Sequence, residues 1–252
     1  QGRLTDSVPH LEAVRDDASH AIRSRRNVLR LYARKATDIY TPDLGRSIAV
    51  ELLREAELAS DTNTRLRALS AAAGMSRDKV DADMLSSILL ELTRDAPSSL
   101  CLEDRAEQAL GIAFCYYFSG QQQRGLETIT AIMGDLEGQS LKNSAYRTLL
   151  LGQCAIHTSL GEYEAAVEVG ERGYLIASKM GDERRLRHFA ANTALAHSRL
   201  ANTESQLLWA YRASANPSAD SDRILDQRVH YIQAHAHAMR GDEQAALQSL
   251  RS

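Results

Sequence analysis

Apolar residues recur along the chain at intervals of three and four, as in Ile48, Leu52, Leu53, Ala56 and Leu58, and the two-residue alternation of a half-buried strand is absent. The spacing predicts helices over 8–24, 26–39, 42–59, 62–73, 79–94, 102–118, 121–136, 140–159, 162–179, 183–200, 203–214, 219–239 and 242–252. Pro9, Pro42, Pro97 and Pro217 fall between or at the ends of these runs, and Thr41-Pro42-Asp43 reads as a helix cap followed by a first-turn proline. The pattern therefore predicts an all-α chain of long helices joined by short turns.

A second, slower period lies over the first. The stretches SGQQQRGLETI, LGEYEAAVEVG, LANTESQLLWA and RGDEQAALQSL align with Gly120, Gly161, Ala201 and Gly241 in one column, at spacings of 41, 40 and 40. Seven residues before each turn stand Ala113, Cys154, Ala194 and Ala234; five after it stand Gly125, Ala166, Gln206 and Ala246. Small side chains at those points let two helix axes approach toward the short end of the usual range of about 8–10 Å. Ala166, with Gly170 and Gly173, gives one helix a low-relief face, whereas Gln206 and Ala201 depart from the pattern in the third repeat.

In these small-residue columns the chain resembles the tetratricopeptide repeat (TPR), with a unit of about 40 residues rather than the usual ~34. Residues 106–252 carry the resemblance well, 43–94 weakly through Ala49, Leu53 and Ala56, and 1–40 only by being helical. It implies a right-handed α-solenoid of antiparallel helix pairs over 41–252, truncated within its last repeat, after an N-terminal capping or linker segment over 1–40. It further implies a concave groove lined by the first helix of each pair, where such proteins bind peptides or extended segments. Carrying the inward columns across selects Leu110, Phe114 and Tyr117, then Thr148, Leu151 and Thr158, then His188, Asn192, Leu195 and Arg199, then Arg228, Tyr231 and His235. Asn192 suits a ligand backbone amide, and Arg199 and Arg228 suit a carboxylate or phosphate. Units of this length resemble the sensor regions of large bacterial regulators.

Composition narrows the alternatives. A net charge of −3 offers no global attraction to nucleic acid or to an anionic membrane, and no apolar run approaches the roughly 18–20 residues of a membrane span. Cys101, Cys115 and Cys154 are odd in number and lack CxxC spacing, which points to reduced thiols in the cytoplasm. Neither a phosphate loop, a nucleophile elbow nor a dinucleotide fingerprint occurs, so the chain is expected to be no enzyme and to need no cofactor.

Histidine offers the sharpest decoy. His157, His197 and His237 recur at the repeat period, with Tyr116 in the same column, and are expected to be packing residues whose burial lowers their pKa. His230, His235 and His237 lie on one helix at spacings that do not converge on one metal ion. Arg23, Arg26, Arg30 and Arg34 form a basic stripe that would meet either an anionic partner or the acids of a neighbouring helix.

The reading is a non-catalytic TPR-like scaffold that binds a peptide, protein segment or small ligand in its groove, as the sensor or docking region of a larger bacterial regulatory protein. The candidate groove residues are Tyr117, Thr158, His188, Asn192, Arg199, Arg228, Tyr231 and His235. The alternatives are a homodimerisation module and a nucleic-acid binder acting through the Arg23–Lys35 stripe.

Overall fold

The computed structural model describes residues 27, 28, 31, 42–75, 82–94, 100–136, 144–215 and 223–251. Among the described residues are eleven helices and no strand. They are α1 (Pro42–Leu58), α2 (Thr62–Met75), α3 (Ala82–Arg94), α4 (Leu102–Phe118), α5 (Gln122–Leu136), α6 (Ser144–Leu160), α7 (Tyr163–Lys179), α8 (Glu183–Arg199), α9 (Thr203–Ser214), α10 (Arg223–Met239) and α11 (Glu243–Arg251). The expected helix at 8–24 and the expected boundary at 40/41 lie outside the described residues, as does the arginine stripe at 23, 26, 30 and 34. Of the segment 26–39, Asn27, Val28 and Leu31 are described and are helical.

The chain divides into two compact units, 1–137 and 138–252. In the first, α1 packs on α2, α2 and α3 pack on α4, and α4 packs on α5. Its core joins Ile48, Leu52, Leu69, Ile88 and Leu92 to Val28 and Leu31. Helices α2 and α4 come together where Gly111 faces Ser70: a Cβ on Gly111 would lie 2.8 Å from the Ser70 Cα, too close for any other residue without a backbone shift.

In the second unit each helix packs on its chain neighbours, and α8 also touches α6 and α10. First helices therefore lie beside first helices, as the stacking of helix pairs requires. The core is built largely of alanine: Ala190, Ala191, Ala194, Ala210 and Ala213 surround Trp209, Leu225, Val229 and Ile232. Cys154, Ala166 and Ala196 form a smaller cluster beside it. Gly170 and Gly173 of α7 face α8 so closely that a Cβ would run into the Thr193 hydroxyl and the Phe189 ring respectively. The two small-residue columns meet at Cys154 and Ala166, where the Cys154 thiol lies 3.3 Å from the Ala166 carbonyl.

One turn geometry closes four helix pairs. Gly120, Gly161, Ala201 and Gly241 all have positive φ, from 54° at Ala201 to 81° at Gly161. The amide of the following residue donates to the carbonyl five residues back, as in Glu162→His157 at 3.0 Å, Asn202→His197 at 3.0 Å and Asp242→His237 at 2.9 Å. The amide of the turn residue itself donates to the carbonyl three back, as in Gly241→Ala238 at 3.0 Å. These two bonds satisfy carbonyls that the helix end leaves open, and they place the side chain of the histidine column beside the residue after the turn.

Candidate functional site

Arg185, His188, Asn192, Leu195 and Arg199 recur at three and four along α8 and so share one face of that helix. Two hydrogen bonds tie this face to its neighbours. Arg185 Nη2 donates to Thr148 Oγ1 of α6 at 2.7 Å, and Arg228 Nη2 of α10 donates to Asn192 Oδ1 at 2.7 Å. The stripes of α6, α8 and α10 therefore meet on one surface, through contacts across 37 and 36 residues that are each about one helical turn off the 40-residue repeat.

The charged groups at its edge are held from behind. Arg185 Nη1 donates to Asp182 Oδ2 at 2.8 Å, and Arg147 Nε donates to the same oxygen at 2.9 Å. Arg147 is a buried cation, its side chain 2% exposed, so Asp182 is its compensating charge. Burial pushes the Asp182 carboxyl upward, but the hydrogen bond and charge of Arg185, with the bond from Arg147, outweigh it and leave the pKa below the ordinary carboxylate value. Asp182 also caps α8 by accepting from the Arg185 amide at 3.2 Å. One repeat on, Arg187 donates through Nε to the Ala213 carbonyl at 3.0 Å and pairs through Nη2 with Asp226.

The expected groove residues occupy different situations. Asn192 is 6% exposed and engaged with Arg228, so its amide orients the guanidinium. Tyr231 is 62% exposed and Arg199 is exposed as well, whereas His188 and Arg228 are half-buried. Thr158 satisfies its hydroxyl within its own helix by donating to the Cys154 carbonyl at 2.9 Å. Tyr117 belongs to the first unit, where its ring stands edge-on to Phe118 at 5.1 Å.

His235 is oriented by a residue that the repeat pattern marks as anomalous. Gln206, 2% exposed, donates from Nε2 to the Ile232 carbonyl at 2.8 Å, and the same nitrogen lies 3.2 Å from His235 Nδ1. An amide nitrogen donating to both groups makes Nδ1 an acceptor and leaves the ring proton on Nε2. Arg185 and Gln206 were missed as site residues in the sequence. Extending the α8 stripe one turn toward its start would have found Arg185; a long polar side chain in a column of Gly and Ala was the only sign of Gln206.

The histidine column follows expectation at His197. Burial lowers the pKa of His197, with Glu171 acting the other way, and its Nδ1 is buried without a partner. His157 and His237 sit differently, because the turn brings a carboxylate to each: Glu162 Oε2 lies 2.6 Å from His157 Nδ1 and Asp242 Oδ2 lies 4.0 Å from His237 Nδ1. Position 202 carries Asn where those repeats carry an acid, so the three sites are not equivalent. Cys115 and Cys154 are buried thiols, each pushed up to about 12 by desolvation, with the Arg228 charge acting in the opposite sense on Cys154. Both stay protonated at neutral pH, which removes them as nucleophiles.

No family model matches the sequence, and no curated protein matches it. Solved structures match in fold. BtubC (BKLC) from P. vanneervenii aligns with a TM-score of 0.63 at 14% identity, over 90% of this chain and 88% of its own. The apo form of RapI aligns with a TM-score of 0.62 at 15% identity, over 98% of this chain and 86% of its own. The TPR-like repeats assigned to a kinesin light chain of Podosopora anserina align with a TM-score of 0.52 at 15% identity, over 85% and 94%. The protein has a TPR-like helical-repeat fold.

Proposed function

We propose that the protein is a non-catalytic scaffold that binds a peptide or protein segment across the first-helix face of its second unit, as the sensor or docking region of a bacterial regulatory protein. The observation that carries the reading is the joined surface of α6, α8 and α10. Hydrogen bonds lock Thr148 to Arg185 and Asn192 to Arg228, so the backdrop is rigid, while Tyr231 and Arg199 stand open on the same stripes. A preformed surface with a few exposed aromatic and arginine side chains is what binding an extended segment requires, since little ordering is left to oppose it. Among the described residues no helix is long and apolar enough to cross a membrane. The free cysteines, two of them buried, support a reducing compartment such as the cytoplasm.

A displayed library of random short peptides, selected on the full chain, tests the reading. Selected peptides are expected to bind the Tyr231→Ala, Arg199→Ala variant at least about tenfold more weakly than wild type, with unchanged thermal unfolding because both side chains are exposed. Peptides indifferent to both replacements would overturn the assignment of the face. A concentration-dependent dimer blocked by peptide-insensitive surfaces would instead favour a homodimerisation module.

A further inference from the structure

The outward stripes of the second helices α7 and α9 carry a surface of another kind. On α7, Glu164, Glu168, Glu171 and Leu175 recur at four, three and four and share one exposed face. One repeat on, α9 places Glu204, Leu208 and Tyr211 in the same columns. Leu175, Leu208 and Tyr211 are each more than half exposed, whereas the described residues of α6 and α8 expose no large apolar side chain. The two stripes are tied together through their neighbours in the chain. The Tyr174 ring stands edge-on to Trp209 at 5.0 Å, and the Arg212 guanidinium lies over both rings, 4.3 Å from the centroid of Trp209 and 5.7 Å from that of Tyr174. The Tyr211 hydroxyl is hydrogen-bonded to His237 Nε2 at 3.1 Å, which fixes its ring.

The glutamates of α7 serve no partner within the fold. Among the described residues no cation forms a salt bridge with Glu164, Glu168 or Glu171. Arg172, four residues after Glu168, is turned instead to the ring and hydroxyl of Tyr146. Like charges at spacings of three and four repel along a helix, and here no cation offsets the repulsion.

We propose that the outward face of α7 and α9 docks a cationic amphipathic helix of a partner protein, whose apolar side chains cover Leu175, Leu208 and Tyr211 and whose lysines or arginines meet Glu164, Glu168 and Glu171. This face lies on helices other than those of the peptide-binding face, and the two are occupied independently. Charge decides the class of partner: uncompensated carboxylates beside an apolar patch attract cations and reject an acidic segment, a nucleic acid or an anionic membrane. A second copy of the chain is disfavoured on the same ground, because pairing this face with itself brings the glutamates together. The braced floor of Tyr174, Trp209 and Arg212 supplies the side-chain types in which binding energy concentrates, already ordered before a partner arrives. The form of the partner follows from the packing. The exposed apolar side chains stand on two adjacent helices, a surface that fits a third helix with apolar residues at three and four, and no strand among the described residues offers an edge to an extended segment.

The experiment mixes the full chain with dye-labelled pools of amphipathic peptides of about 18 residues, roughly five helical turns. Their apolar stripe is randomised among Leu, Ile, Met and Phe. The polar face is Lys and Arg in one pool, Gln in a second and Glu in a third, and a fourth is the cationic pool broken by interior prolines. Fluorescence anisotropy is expected to show the cationic pool bound at least about tenfold more tightly than the Gln pool, the Glu pool weakest, and the preference narrowing as salt rises. Leu208→Ser should weaken the cationic pool by about tenfold with little change in the unfolding midpoint, since the side chain is exposed. In Glu164→Lys, Glu168→Lys the preference should pass to the Glu pool; Glu171 is kept because its charge acts on His197. Arg199→Ala, Tyr231→Ala should leave the cationic pool bound as in wild type, which separates this surface from the first-helix face. Equal binding of the proline-broken pool, or binding indifferent to Leu208→Ser, would reduce the effect to plain charge attraction and overturn the docked helix. A dimer of the chain alone that Leu208→Ser dissolves would give the face to a second copy. Binding of no pool would overturn the inference and leave the first-helix reading to its own test.

Discussion

At position 201 the repeat asks for a left-handed residue and the chain supplies alanine. The other three turns of the column use glycine, which enters that region without a Cβ clash; Ala201 enters it at φ 54°. Left-handed backbone costs an L-residue roughly 1–2 kcal/mol, offset by the lower unfolded-state entropy of alanine, worth about 0.4–1 kcal/mol. Ala201→Gly should therefore stabilise the protein by about 0.5–1 kcal/mol, and Gly241→Ala, the reverse change at φ 76°, should destabilise it by a similar amount. Urea midpoints at constant m-value measure both, and a loss of stability in Ala201→Gly would contradict the strain. The same turn explains the histidine column. Its first hydrogen bond runs from the residue after the turn to the histidine carbonyl, so the two side chains become neighbours and the identity of that residue, Glu162, Asn202 or Asp242, sets each imidazole's surroundings.

Whole helices respond to a glycine according to what it faces. Gly134, on the exposed side of α5, has nothing within 4 Å of its would-be Cβ, whereas Gly173 of α7 abuts the fully buried Phe189 ring. Gly134→Ala should gain close to the full helix-propensity difference, about 0.5–1 kcal/mol. Gly173→Ala gains the same term but must push apart α7 and α8, at about 1–3 kcal/mol for overpacking, and should be destabilising on balance. Thermal midpoints moving in the same direction would reject the close crossing. At this scale the sequence was most informative, since a residue that must be small at every repeat can be recognised from its period alone. The site was less legible. Arg185, Gln206 and the Arg147–Asp182 pair act through contacts 26 to 37 residues apart in the chain, and a single chain shows that such residues are polar without showing what they meet. Gln206, which departs from the small-residue column, is a buried amide that bridges α9 to α10 and aims His235.

Across the whole molecule, net charge conceals what the repeat separates. Acids collect on second helices of the second unit and arginines on first helices, an ordering that appears once each residue is assigned to its helix and vanishes in the sum. Global stability, by contrast, gathers contributions from every site, and its pH dependence can be assigned a sign. His197 is buried beside α8's neighbours with its pKa below the ordinary value of about 6.5, the Glu171 charge offsetting burial only in part. The unfolded chain therefore binds this proton more readily than the folded one. Stability from this site is complete above about pH 6.5 and declines as pH falls toward the folded-state pKa, at no more than about 1.4 kcal/mol per pH unit for one proton. Below the folded value the decline from this site ends. His197→Tyr, which installs the residue found at Tyr116 in the same column, should flatten that part of the curve. Urea titrations at closely spaced pH values through the mildly acidic range measure the slope. A His197→Tyr curve parallel to wild type would show that the proton is taken up elsewhere and that the buried imidazole is not its source.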